Sequence, residues 1–127
     1  MPYKSTHLKQ EFCIDRIVTI HYFEYMENFL FQGESHNFWE FLCVDRGEIE
    51  VQADDKIFRL KKNDVIFHKP MEFHAIKSCS NTAPNLVVIS FESQSRSMRL
   101  FNNRVLSSTE NDRLLISKMI AEARQAF

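Results

Sequence analysis

Two short segments carry the residues of this chain that can do chemistry. They read Glu34-x-His36-x3-Glu40-x6-Gly47 and Asn63-Asp64-x5-Pro70-x3-His74. Imidazoles and carboxylates ligate divalent cations near neutral pH, and the carboxylates also accept hydrogen bonds from hydroxyl groups. Side chains of like parity on a strand share a face, so Glu34, His36 and Glu40 are expected to project to one side. His74 follows a proline turn and opens a second alternating run that can cross the first. Two His plus one carboxylate with open positions suit a redox iron and other divalent ions. Three readings stay open on the residues alone: a metal centre, a metal-free polar pocket, and satisfied polar residues inside a barrel mouth.

Short strands must position these groups. Ile14 to Phe31 is rich in β-branched and aromatic residues, with a polar break at Glu27-Asn28, and predicts two strands. A run from His36 to Val44 turns at Asp45-Arg46-Gly47. Glu48, Glu50 and Gln52 then alternate with Ile49, Val51 and Ala53, giving one wet face and one buried face. Ile57–Leu60, Val65–His68 and His74–Lys77 follow as strands, and Ser78–Pro84 as a loop. Leu86–Phe91 is apolar on both faces, as expected between two layers. Turns every 8–12 residues predict an all-β sandwich or barrel. Within the strand around Trp39, Phe38, Leu42 and Val44 share the face of His36, and Trp39, Phe41 and Cys43 face away. Phe38 is thereby a candidate to stack on a ligand ring, and Trp39 a candidate for a dimer surface. His68, at a strand end, is expected to be solvated. Arg16 and Tyr22 are assigned to the mouth.

After Ser93 the pattern changes. Ser107 and Glu110 have the spacing of a capping box, and Ile116, Met119, Ile120, Ala123 and Phe127 fall on one helical stripe. The fold class is therefore all-β with a C-terminal helix, divided as a barrel over 1–93, with an arm over 1–12, and a helical segment over 94–127.

Composition narrows the function. The chain has 127 residues, enough for one domain with its own core. Lys and Arg number 16 against 17 Asp and Glu, a formal net charge of −1. That near-neutral balance is not the electrostatic footprint of an autonomous nucleic-acid binder. Cys13, Cys43 and Cys79 lack metal-type spacing and read as buried reduced thiols, which suits a cytoplasmic location. No apolar stretch approaches the roughly 20 residues of a membrane span, and the polar start MPYKSTHLKQEF does not read as a signal peptide. No Gly-flanked serine elbow, P-loop or dinucleotide fingerprint is present.

The two segments resemble the paired motifs of the cupin superfamily, His-x-His-x3-Glu-x6-Gly and Gly-x5-Pro-x3-5-His. Their local text, SHNFWEFLCVDRGEIEV and LKKNDVIFHKPMEFH, is more narrowly similar to the N-terminal sensor domain of AraC-family transcription regulators. The resemblance implies a cupin jelly-roll barrel. It places His36, Glu40 and His74 at the positions of cupin metal ligands. The sequence departs from the pattern at Glu34, which replaces the first His, at Asn63, and at Lys69-Pro70-Met71.

What the resemblance implies is an effector-sensing domain that binds a small molecule, such as a carbohydrate, through Glu34, His36, Phe38, Glu40 and His74. A divalent metal (Zn, Ni, Mn or Fe) on His36, Glu40 and His74 is the cofactor such a set would take. It also implies a homodimer, supported by any exposure of Leu114 or Leu115 beside Met119. The arm over 1–12 is the expected moving part, and contact with DNA is expected only through a helix-turn-helix unit outside this chain. The alternative is a small metal-dependent cupin enzyme of dioxygenase or isomerase type, with Glu34 as a fourth ligand or general base.

Overall fold

A computed structural model of the chain describes residues 13–25, 29–79 and 81–126. Among the described residues, nine strands and one α-helix follow in order: β1 Arg16–Glu24, β2 Leu30–Glu34, β3 Trp39–Arg46, β4 Glu48–Ala53, β5 Lys56–Leu60, β6 Asp64–His68, β7 His74–Cys79, β8 Asn85–Glu92, β9 Val105–Ser107 and α1 Glu110–Ala126. The strands form two antiparallel sheets, in the orders β1-β8-β3-β6-β9 and β2-β7-β4-β5. Residues 26–28, which include the predicted break at Glu27-Asn28, and the arm over 1–12 lie outside the described residues.

Strand alternation builds two apolar layers. On β3, Leu42 and Val44 point between the sheets, where they meet Ile49, Val51, Leu60, Ile66, Ile76 and Leu86. Trp39 and Cys43 point outward and pack with Val65, Val87, Ile89, Phe91 and Met98. A 3-10 turn over Arg96–Phe101 and the Ile116, Met119 and Ile120 stripe of α1 cover this second layer. The two-faced reading of Leu86–Phe91 and the wet and buried faces of β4 both hold in the structure.

Several expectations need correction. Trp39 is only 7% exposed, covered in the outer layer, so it offers no free surface to a partner. Cys43 is buried, but Cys13 is exposed and Cys79 half-buried, all three as free thiols. Ser107 does not cap the helix, because it pairs with Asp64 as the end of β9. The cap is Thr109, whose hydroxyl accepts the Asp112 N–H (3.1 Å) while the Asp112 carboxylate accepts the Thr109 N–H (2.8 Å). The box lies two residues later because β9 extends the sheet before the helix can start. The strand predicted from His36 begins only at Trp39, after a bend over 35–38.

Leu42 is fully buried in the inner layer, whereas Leu115 is 60% exposed on α1. Leu42→Ala is expected to lower the unfolding free energy by about 2–5 kcal/mol, and Leu115→Ala by less than about 0.5 kcal/mol. Urea denaturation of both variants checks the contrast; equal losses would contradict the layer assignment.

Candidate functional site

Glu34, His36, Glu40 and His74 come together at one end of the barrel, each offering a ligand atom within 4.8 Å of the others. Their convergence does not come from one strand. Glu34 closes β2 in the four-stranded sheet, His36 lies in the bend, and Glu40 sits on β3 of the five-stranded sheet. The irregular pairing after Phe31 sets Glu34 opposite His74 on β7. Gly33 permits this, with φ at +114° and so little room that an added Cβ would lie 2.3 Å from the Phe73 ring. A sequence pattern of parity cannot show such a change of strand and sheet.

The group forms a graded path from solvent inward. Side-chain exposure falls from 52% at Glu34 to 14% at His36, 8% at Glu40 and 1% at His74. His36 Nε2 lies 3.2 Å from Glu40 Oε1 and 3.7 Å from Glu34 Oε2. His74 Nε2 lies 3.4 Å from Glu40 Oε2 and 3.8 Å from Glu34 Oε2.

Backbone carbonyls orient both rings. His36 Nδ1 donates to the Phe38 carbonyl (3.1 Å), and His74 Nδ1 donates to the Glu72 carbonyl (3.1 Å). A carbonyl only accepts, so each ring spends its Nδ1 proton there and turns Nε2 toward the carboxylates. Two imidazole Nε2 atoms and two carboxylates then face one another, with acceptors in surplus. A cation, or the hydroxyl donors of a ligand, answers that surplus.

The donor set suits a divalent cation. With bonds of about 2.1 Å, donors around a metal sit about 3.0–3.4 Å apart in octahedral or tetrahedral arrangements. The four His–carboxylate separations are 3.2–3.8 Å and the whole set lies within 4.8 Å, so the widest pair must close by more than about 1 Å to reach that spacing around one cation. Anchoring of each ligating His through its other nitrogen is the usual outer support of such centres.

Charge couples the buried members. Burial pushes the Glu40 carboxyl up, but the hydrogen bond and charge of His74, then the charge of His68 and the His36 bond, outweigh it and hold it below the ordinary 4.5. Burial pushes His74 down, yet the bond and charge of Glu40, the Glu72 carbonyl and the Glu34 charge carry it above the ordinary 6.5.

The surroundings differ from expectation at several residues. Phe38 stacks on His36 (centroids 4.0 Å apart, 10° between planes), so one of its faces is already covered. His68 is not solvated. It is fully buried, donates from Nδ1 to Glu72 Oε1 (2.9 Å), and stacks on His74. Its even number, shared with the core residue Ile66 on β6, is the signal that would have turned it inward. Arg16 pairs with Glu92, and Tyr22 packs in the outer layer with its hydroxyl on Asp45, so neither lines the mouth. Tyr25, which follows β1, is within reach of the Glu40 charge. It packs against the inner layer, stacks on Phe29, and has its phenol raised by burial and by the Glu40 charge.

A groove of about 490 Å³ lies elsewhere, between α1 and the outward face of the five-stranded sheet. It is lined by Phe41, Phe67, Phe91, Met98 and Met119 among others, and is mostly apolar. Glu40 and His68 belong to the opposite face of the same strands.

Comparison with known proteins bears on what the group does. The family model for the AraC-like ligand binding domain matches residues 17–95. No curated protein matches the sequence. Among solved structures, the cupin domain of Schizosaccharomyces pombe Cnp3 is similar with a TM-score of 0.57 and 18% identity, over 71% of this chain and 70% of that one. A cupin superfamily protein from Desulfitobacterium hafniense gives 0.56 and 20%, over 62% and 70%. Bacillus subtilis oxalate decarboxylase, in a structure whose description names Mn(II) centres, gives 0.53 and 15%, over 73% of this chain and 24% of that enzyme. At these identities the likeness shows the fold, a cupin jelly roll.

The Glu40–His74 pair makes a pH prediction for cation-free protein. His74, raised, contributes stability that is complete below 6.5 and lost as pH climbs through its raised value. Glu40, lowered, contributes stability that is complete above 4.5 and lost as pH falls through its lowered value. The pair should stabilise most between those limits, and Glu40→Gln should flatten the decline on the alkaline side. Urea denaturation from about pH 4 to about pH 9 reads this; an alkaline limb unchanged in Glu40→Gln would refute the coupling.

Proposed function

We propose that this chain, which belongs to the family of AraC-like ligand-binding domains, senses a small oxygen-rich effector through a divalent cation held by Glu34, His36, Glu40 and His74. The observation that carries the proposal is the shared orientation of the two imidazoles. Each is anchored at Nδ1 to a backbone carbonyl and presents Nε2 to two carboxylates. When bound, the cation would supply a Lewis-acidic point on which effector oxygens complete the coordination.

The residues divide the work by depth. Glu40 and His74, buried, hold the inner side, and Glu34, half-exposed, closes the side toward solvent. Tyr25 and Phe38 present aromatic surface and Glu34 an acceptor, a combination suited to a carbohydrate with its apolar ring face and its hydroxyl rim. Sensing requires the effector to prefer one of two arrangements of the domain, since a ligand without preference shifts nothing. Output to DNA runs, in this reading, through a helix-turn-helix unit outside the chain, in the cytoplasm. No described helix is long and apolar enough to cross a membrane.

A homodimer through α1 belongs to the same proposal. Leu114 is 53% exposed on the helix face away from the Ile116–Ile120 stripe, and Leu115 is 60% exposed at the edge of the groove beside Met119. A metal-dependent enzyme of dioxygenase or isomerase type would use the same four residues, and the family match favours the sensor over it.

Titration calorimetry with Zn²⁺, Mn²⁺ and Ni²⁺, and with Fe²⁺ under anaerobic conditions, followed by a sugar panel on the loaded protein, tests the site. His74→Ala is expected to weaken cation binding by more than about 100-fold, and sugar affinity to depend on the cation. Wild-type protein that binds no cation would overturn the cation reading. Light scattering of Leu114→Glu/Leu115→Glu tests assembly: a monomer is expected where the parent is a dimer.

A further inference from the structure

The turn between β6 and β7 touches the site at three places. His68 ends β6 and pairs in register with Glu40 on the neighbouring strand. Met71, at φ +68°, donates its N–H to the His36 carbonyl (2.7 Å) and so ties down the bend that carries His36. Glu72 holds two imidazoles at once. Its side-chain Oε1 accepts from His68 Nδ1 at 2.9 Å, and its backbone carbonyl accepts from His74 Nδ1 at 3.1 Å.

The two rings so held lie almost parallel, with centroids 4.5 Å apart and 9° between planes. His68 is 0% exposed, Glu72 4% and His74 1%. A buried carboxylate and imidazole are costly to desolvate, and an apolar pair of the same volume would serve a barrel core at least as well. His68 also keeps a buried Nε2 without a hydrogen-bond partner among the described residues. Core packing therefore does not account for the dyad. What His68 and Glu72 do share is the His74 ring, which they grip from its face and from its Nδ1 edge.

We infer that His68 and Glu72 are positioning residues that fix the plane of the His74 imidazole, so that Nε2 meets a cation together with His36, Glu34 and Glu40. The inference rests on the cation reading above and adds two residues to it that touch neither cation nor effector. Stacking stops the ring from tilting, and the Glu72 carbonyl stops it from rotating about its own axis. Both freedoms would otherwise have to be lost on binding, at the expense of affinity.

The test is Co²⁺ and Zn²⁺ binding to wild type, Glu72→Gln, and the double variant His68→Leu/Glu72→Leu, which removes the ring stacked on His74 and the carboxylate that holds that ring in place. The double variant replaces both polar partners by apolar groups of similar size, so the barrel is expected to fold, which circular dichroism and a cation-free melting curve check. Its Zn²⁺ affinity should fall about 10–100-fold, and its Co²⁺ visible spectrum should broaden as the ligand ring loses its fixed plane. Glu72→Gln keeps an oxygen acceptor for His68 Nδ1 and the backbone carbonyl for His74, and should bind within about threefold of wild type. A purely structural role would lower the melting temperature and leave affinity and spectrum unchanged. Wild type that takes up neither metal would overturn the cation reading and this inference together. Wild type that binds, with a folded double variant of equal affinity and identical spectrum, would overturn the inference alone.

Discussion

A strand has two faces, and in β3, β6 and β8 both are committed. Even-numbered residues enter the space between the sheets and odd-numbered residues enter the layer under α1. A slip of one position would exchange every one of them, sending Leu42 and Ile66 outward and Phe41 and Phe67 in. The two apolar layers therefore lock the register of the central strands far more firmly than hydrogen bonds between them do. Glu40 and His68 have the parity of the inner layer and are carried inside with it. Their burial is a consequence of where Leu42, Val44 and Ile66 must go.

That constraint explains how a polar cluster is tolerated in a small barrel. Isolated, a buried carboxylate or imidazole would be expelled or neutralised. Here Glu40 faces His36, His68 and His74, and the latter two are answered by Glu72. The cluster is balanced pairwise at its inner end and open in acceptors at its outer end, where Glu34 meets solvent. A site that is rigid inside and accessible outside is the arrangement recognition requires.

Much of this was legible in the residues. The spacing of His36, Glu40 and His74, the two-faced run at Leu86–Phe91 and the alternation of β4 each follow from period-two patterning. What escaped the sequence depended on geometry that patterning does not encode. Glu34 stays in the four-stranded sheet, set opposite His74 by the irregular pairing at Gly33, and the chain crosses to the other sheet only after it. Thr109 and not Ser107 caps α1, because three residues were first drawn into β9 by pairing with β6. His68 was misplaced because a residue before Lys-Pro reads as the last of its strand, exposed by position, although its parity sends it inward. Glu72 gives no signal at all, since its importance lies as much in its carbonyl as in its side chain.

β6 has one more property, and it is mechanical. Its last residue, His68, belongs to the polar cluster, while its first, Asp64, pairs with Ser107 at the foot of α1. Asn63, just before it, accepts the N–H and hydroxyl of Ser108 through its carbonyl at 2.8 Å, one residue ahead of the helix cap. A five-residue strand is about 17 Å long and close to fully extended, so it transmits pull with almost no stretch. The barrel mouth and the start of the helix are thus joined by a tie rod. The strand gives the turn after His68 a direct backbone connection to the root of α1.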